Sequence, residues 1–212
     1  MKTGPARLAT ALAPLLLAAC VSVGIGSDVP PQAHLLLHDA AAPAPRRAEP
    51  LVAALLIQAQ PADAAGDTAS IAYSPRPNTF ADYQFAQWTE RPVRRMPRLL
   101  QQRLEARGVA GAVAMVGEPV RADWLLSVAI DSLHHDVSVS PGQGRVALTA
   151  ELFDRRNRAR IARRQFEAAV PAASADAPAA AVAMSQALTQ VFDRLLPWLE
   201  TELQQAAAAA PK

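Results

Sequence analysis

Cysteine, aromatic residues and net charge are all scarce in this chain of 212 residues, and each scarcity excludes a class of protein. The single cysteine cannot form an intrachain disulfide, so the chain is not a disulfide-stabilised scaffold. The charge excess of +2 comes from Lys2 and Arg7, and the chain after residue 19 is balanced, so bulk charge gives no argument for nucleic-acid binding. Hydrophobic residues still make up 51%, which is enough for a buried core.

The N-terminus has the pattern of an export signal. Lys2 and Arg7 precede the apolar run Leu8–Leu17, which is too short to span a membrane. Cys20 follows directly after two alanines, and Leu17-Ala18-Ala19-Cys20 resembles the bacterial lipobox. We therefore expect Cys20 to be diacylated and to become the N-terminus; an ordinary signal peptide with an incidental cysteine is the alternative. Val21, in place of an aspartate, resembles the sorting signal of outer-membrane lipoproteins.

These features divide the chain into four parts. We expect a signal peptide at 1–19, a lipidated tether at 20–33, one folded domain at 34–205, and a disordered Ala-rich tail at 206–212. No other stretch is long and apolar enough to span a bilayer.

Hydrophobic periodicity predicts strands and two helices in the domain. Trp124, Leu126, Val128 and Ile130 alternate with more polar residues, which is the clearest strand signal. The order of elements favours an α+β fold: a single, mainly antiparallel sheet with two helices packed on one face. We predict strands within 34–38, 51–60, 70–74, 79–88, 112–116, 124–133, 146–152 and 161–170, a helix that starts near Pro97 and stops at Gly108, and a last helix from 176–178 that Pro197 kinks or splits.

Ile161 and Phe166 fall on opposite parities of the last predicted strand. An edge strand or a β-bulge would explain this mismatch.

No nucleophile, dinucleotide or phosphate-binding motif is present in the sequence, so we predict neither an enzyme nor a cofactor. His134, His135 and Asp136 could in principle supply metal ligands. Adjacent strand residues point to opposite faces, however, so the two imidazole rings would not converge. We therefore predict no metal site and interpret the pair as part of an exposed strand end.

A cluster of arginines surrounds the turn at Asn157. It could contact anionic lipid head groups or an acidic partner, or it could be a solvated hairpin tip that protects an edge strand. The cluster consists of Arg155, Arg156, Arg158, Arg160, Arg163 and Arg164.

Aromatic residues concentrate in one predicted hairpin of a chain that has only 5% of them. Tyr73, Tyr83, Phe85 and Trp88 lie on its two strands. Core filling is one explanation for any single residue, and a strip that binds a partner protein is the other.

In its series of motifs, the chain resembles the ABC-type transport auxiliary lipoproteins, which include the lipoproteins of paraquat-inducible operons. The resemblance covers most of 34–200. It rests on the lipobox ending at Cys20, on Ser70–Tyr73 followed by the Tyr-rich segment Phe80–Trp88 and Arg91-Pro92, on the helical segment Pro97–Leu104, on the acid-led strand Ala122–Leu126, and on the final helix near Trp198.

This resemblance implies a non-catalytic periplasmic subunit that a lipid holds at the outer membrane. Its implied partners are a mammalian-cell-entry-domain protein and ABC transporter components, in a system that moves lipids or other hydrophobic molecules between membranes. The resemblance also allows a homo-oligomer and implies no nucleic acid. A lipoprotein that regulates or assembles another envelope machine, such as cell-wall synthesis, is the alternative.

Overall fold

A computed structural model of the chain describes residues 31–42, 45–60 and 67–209. The predicted signal peptide, Cys20 and most of the tether lie outside these residues. The described ranges form one eight-stranded sheet and two helices, so the α+β class is confirmed. The elements are β1 (Ala33–Leu35), β2 (Val52–Ala59), β3 (Ser70–Arg76), β4 (Thr79–Trp88), α1 (Pro92–Arg107), β5 (Ala110–Met115), β6 (Trp124–Asp136), β7 (Gln143–Asp154), β8 (Ala159–Pro171) and α2 (Ala177–Ala209).

The sheet is mixed, and most of its strand pairings are parallel, so the prediction of a mainly antiparallel sheet is wrong. The antiparallel pairs β3–β4, β6–β7 and β7–β8 are consecutive hairpins. The parallel pairs β1–β4, β2–β5, β2–β6 and β3–β6 join strands that are distant in sequence. Residue alternation along a strand predicts which face is buried but not which strand lies beside it, and this explains the error.

Strand β6 organises the sheet. It pairs with β7 along one edge for its whole length. Its other edge is shared: the N-terminal half pairs with β2, from Trp124 to Val128, and the C-terminal end pairs with β3, at His135 and Asp136. The sheet therefore divides beyond β6 into a β2–β5 branch and a β3–β4–β1 branch.

A bulge within β6 changes which residues face the helices. The register with β7 shifts between Ile130 and Ser132, which leaves Asp131 as an extra residue. Before the shift the even-numbered positions, including Leu126, face the core; after it His135 pairs with Gly144 on that same side. Simple alternation would have placed His134 there.

Both helices pack on the same face of the sheet, as predicted, and their buried residues belong to one core with those of the strands. Helix α1 begins at Pro92, not near Pro97 as predicted, and Pro97 lies inside it. Gly108 ends it, as predicted, with φ 72° and its N–H bonded to the carbonyls of Leu104 and Glu105. Pro92 serves the first turn well because that position needs no N–H donor.

Helix α2 is one continuous element that contains Pro197, so the proline does not split it. Asp176 precedes it and accepts a hydrogen bond from the N–H of Ala179 at 2.8 Å, which caps its first turn. The helix continues to Ala209, into the alanine-rich segment that the sequence suggested as a tail.

The expected irregularity in the last strand is confirmed. Strand β8 pairs only with β7 and is therefore an edge strand. Its register shifts so that Leu152 pairs with Ala162 and Phe153 with Arg160, which leaves Ile161 as the bulged residue. Phe166 can then point into the core, where it is 4% exposed.

Residues 36–42, which follow β1 and which we call the strap, connect the two helices, and no local pattern in the sequence predicts this contact. Arg103 of α1 donates to both carboxylate oxygens of Asp39, at 3.0 and 3.1 Å, and also pairs with Asp193 of α2. Asp39 accepts a further bond from Thr189 at 2.9 Å. One arginine of α1, Arg103, therefore makes a largely buried tertiary contact with the strap and with α2.

Candidate partner-binding surface

The β3–β4 hairpin carries the four aromatic residues that the sequence analysis selects. The chain reverses at Pro77 and Asn78, and Asn78 has φ 59°, a left-handed conformation that asparagine tolerates better than most residues. The hairpin is attached to the body of the domain where Tyr73 and Ser74 pair with the end of β6.

Tyr73 and Tyr83 form a polar aromatic cluster with His135. The Tyr83 hydroxyl lies 2.7 Å from His135 Nδ1, and the two rings are stacked with centroids 6.2 Å apart. The Tyr73 and Tyr83 centroids are 5.0 Å apart. Burial, with a smaller effect from Asp176, raises the pKa of the Tyr83 phenol, so Tyr83 remains a neutral hydrogen-bonding group. The cluster joins the hairpin to β6 by a bond that burial strengthens.

His135 is fully buried, although the sequence suggested an exposed strand end for the histidine pair. Its Nε2 atom has no hydrogen-bond partner among the described residues. A Cβ built at Gly142 would lie 2.3 Å from this Nε2, so the ring fits only because residue 142 has no side chain. Burial lowers the pKa of His135, which keeps the imidazole neutral near pH 7.

Asp136 fixes the loop that follows β6. Its carboxylate accepts bonds from the Ser138 hydroxyl at 2.6 Å and the Ser138 N–H at 3.1 Å. Arg145 donates to it at 3.1 Å across the β6–β7 hairpin. The hydrogen bonds from Ser138 and Arg145 hold the pKa of Asp136 far below its usual range. The loop from 137 to 142 is thus anchored at its base by an ionised carboxylate.

His134 lies on the opposite face of the sheet and contacts Phe80. The two rings meet edge to face with centroids 5.2 Å apart. A shallow cleft of about 170 Å³ opens beside them, where the sheet divides between its two branches. Phe80 is 61% exposed and was not among the predicted partner-binding residues, although it lies near the start of the same strand as Tyr83. The cleft is lined by Thr68, Ser70, Ala72, Phe80, Trp88, Pro92, Ile130, Asp131, Ser132, Leu133 and His134.

The two remaining predicted residues have different environments. Phe85 is 40% exposed and offers ring surface to solvent. Trp88 is 3% exposed and packs in the core beside β1, where it pairs in register with Leu35. Of the four predicted partner-binding residues, Phe85 therefore presents the most accessible side chain, whereas Tyr73 and Tyr83 are half-buried and Trp88 belongs to the core.

Among the residues that the structure describes, no group of three or more His, Cys, Asp or Glu side chains is placed to hold a metal ion. His134 and His135 point to opposite faces, as strand geometry predicts, and contact Phe80 and Tyr83 respectively. No helix in the described ranges is long and apolar enough to cross a membrane.

The arginine cluster lies at the far end of β6–β8 from the aromatic hairpin. We call residues 155–158, the exposed turn between β7 and β8, the arginine tip. Arg156 donates to Asp154 at 2.7 Å and its guanidinium lies 5.0 Å from the Trp124 ring centroid. Arg160 pairs with Glu151 at 2.8 Å. Some of these cations are therefore paired within the fold, and the turn itself stays exposed.

Comparisons with known proteins agree with this fold. The sequence model of a family described as ABC-type transport auxiliary lipoprotein component matches residues 34–195. A crystal structure of a protein from Xanthomonas campestris is similar, with 25% sequence identity, a TM-score of 0.71, and coverage of 84% of this chain and 98% of that one. An uncharacterised protein of known structure has the same fold at 11% identity, with a TM-score of 0.60 and coverage of 80% and 99%. No curated protein matches the chain in sequence.

Proposed function

Because the chain belongs to the family of ABC-type transport auxiliary lipoprotein components, we propose that it is a non-catalytic periplasmic subunit anchored by lipid in the outer membrane. It would work with an ABC transporter and a mammalian-cell-entry-domain protein in moving lipids or other hydrophobic molecules between membranes. The observation that carries this proposal is the family match over 34–195, behind a lone cysteine placed where a lipobox requires it.

The anchor is the first part of the proposal. Cys20 follows a signal sequence, and two or three acyl chains on it would hold the protein stably at a bilayer, since each buried methylene contributes ~0.8 kcal/mol. Val21, the residue after the lipidated cysteine, favours sorting of the lipoprotein to the outer membrane. Mass spectrometry of the mature N-terminus should find acylated Cys20, and the protein should fractionate with the outer membrane. An unmodified N-terminal peptide that begins elsewhere would refute the anchor.

The second part concerns the partner. We propose that the exposed side of the β3–β4 hairpin contacts the mammalian-cell-entry-domain protein, with Tyr73, Tyr83 and Phe85 as the contributing residues. Interface cores are rich in aromatic residues, and this hairpin holds both tyrosines of the chain. Trp88 would act by supporting β4 from the core.

Phe85 allows the sharpest test because its ring is exposed and its removal should leave the fold intact. We expect Phe85→Ala to retain its melting temperature and to lose ~2 kcal/mol of partner binding, about 30-fold in affinity. Ile161→Ala is the matched control, since Ile161 is 39% exposed at the other end of the sheet. Unchanged binding in Phe85→Ala, or an equal loss in both variants, would exclude the hairpin as the contact.

Co-purification from membranes tests the transport assignment itself. Capture of the lipidated protein should recover ABC transporter and mammalian-cell-entry components. Recovery of cell-wall synthesis proteins instead would favour the alternative, a regulator of another envelope machine.

A further inference from the structure

Two exposed apolar side chains lie at one end of the sheet. Val139, at the tip of the β6–β7 loop, is 75% exposed, and Phe80, just after the β3–β4 turn, is 61% exposed. The two segments are neighbours because Ser74 pairs with Asp136, and the N–H of Val137 donates to the Ser74 carbonyl at 2.9 Å. We call residues 77–80 and 137–141 together the apolar tip.

The apolar tip contains no charged side chain. Its two segments read Pro-Asn-Thr-Phe and Val-Ser-Val-Ser-Pro. The arginine tip at the opposite end reads Arg-Arg-Asn-Arg. Strand β6 has 13 residues and is about 40 Å long, so the two tips are separated by roughly that distance. The two turns therefore differ in charge, and the nearest charged groups behind the apolar tip are the exposed Arg76, which pairs with Thr79, and the ion pair of Asp136 with Arg145.

The direction and register of β1 relate the start of the described chain to the apolar tip. Strand β1 runs parallel to β4, and β4 runs antiparallel to β3, which itself is parallel to β6. Pro31 therefore precedes a strand that runs away from the apolar tip, and the first residue of that strand, Ala33, pairs with Ala86, six residues beyond Phe80 in β4. The chain between Cys20 and Pro31 can span at most ~40 Å when fully extended. This length is enough for a lipid on Cys20 to lie in the same bilayer that the apolar tip would contact.

We propose that the apolar tip inserts into the interface of the bilayer that holds the Cys20 lipid, and that the arginine tip points away from it. The proposal rests on the lipid anchor of the proposed function. Phe80 supplies an aromatic ring and Val139 an aliphatic side chain. Neither carries a charge, so both can enter the boundary between head groups and acyl chains. The acyl chains would provide the affinity, and the tip would fix the orientation of the domain.

The orientation can be measured with one added tryptophan in each variant. The lipidated full chain, as Val139→Trp, is reconstituted in vesicles of phosphatidylethanolamine and phosphatidylglycerol whose acyl chains carry bromine, a contact quencher. The native Trp88, Trp124 and Trp198 are at most 9% exposed and give a constant background. Asn157→Trp, in the arginine tip, is the matched control.

We expect bromine to quench at least half of the added fluorescence of Val139→Trp and almost none of that of Asn157→Trp. Equal quenching of both probes, or none of Val139→Trp in protein that floats with the vesicles, would overturn the membrane contact while leaving the anchor intact. Failure of the protein to float at all would overturn the anchor, and the tip proposal with it. Flotation therefore separates the two failures.

Discussion

The two halves of β6 are stabilised in different ways. The N-terminal half pairs with β2 and places Trp124, Leu126 and Val128 in an apolar core under both helices. The C-terminal half pairs with the β3–β4 hairpin and places His135 in a polar cluster with Tyr83. The stability that apolar packing contributes does not depend on pH, whereas the contribution of a buried imidazole does. The stability of the apolar half of β6 should therefore not vary with pH. That of the polar half should depend on the protonation of His135 and on its close contacts.

The largest effect is expected in the apolar half. Leu126 is fully buried, and Leu126→Ala should cost ~3–4 kcal/mol of unfolding free energy because it removes apolar contacts and leaves a cavity. Leu125→Ala is the control: Leu125 is the next residue, lies on the opposite face and is only partly buried. Denaturant unfolding at pH 7.5 measures both. Equal losses in the two variants would contradict the assignment of faces along β6.

A smaller effect is expected where the polar half depends on a glycine. Gly142 has φ 100°, and a Cβ there would lie 2.3 Å from His135 Nε2 and 2.8 Å from the Asp136 carbonyl oxygen. Gly142→Ala should therefore cost ~2 kcal/mol or more, from backbone strain and from displacement of the ring.

Gly117→Ala separates these two causes. Gly117 has φ 103° and nothing within 4 Å of its added Cβ, so this variant suffers the backbone strain alone. Melting temperatures should fall further for Gly142→Ala than for Gly117→Ala. If the two variants lose the same stability, the close contact at His135 contributes nothing.

The sequence predicted the apolar half better than the polar half, for a physical reason. Alternation at Trp124, Leu126 and Val128 is a local pattern, and local patterns identify strands and their buried face. The bulge at Asp131, the pairing of Tyr73 with His135 and the strap at Asp39 are set by residues far apart in the chain. In the aromatic hairpin, β4 was predicted with its observed bounds and β3 two residues short. The division of the hairpin residues between core and surface depends on a neighbour, β6, that no local pattern identifies.

The smallest effect, and the most specific, is a dependence of stability on pH. Burial lowers the pKa of His135 in the folded protein, whereas the unfolded chain binds a proton near the ordinary value of about 6.5. Above this value the imidazole is neutral in both states, so the free energy of unfolding does not change with pH through this group. As the pH falls below it, the unfolded state takes up more protons than the folded state, so stability decreases, by up to ~1.4 kcal/mol per pH unit for one histidine.

Melting curves at constant ionic strength between pH 8 and pH 5 test this dependence. His135→Gln keeps an acceptor for the Tyr83 hydroxyl but does not titrate, so its melting temperature should fall less between pH 7 and pH 5 than that of the unmodified protein. The exposed His38→Gln is the control and should retain the full slope. Asp136 does not interfere. Its pKa is lowered in the folded protein, so the stability that it contributes is lost only as the pH falls below about 4, the ordinary aspartate value of the unfolded chain. If His135→Gln leaves the slope of melting temperature against pH unchanged, the acid sensitivity belongs to another group. Half-buried His134 is then the first candidate, since burial also lowers its pKa.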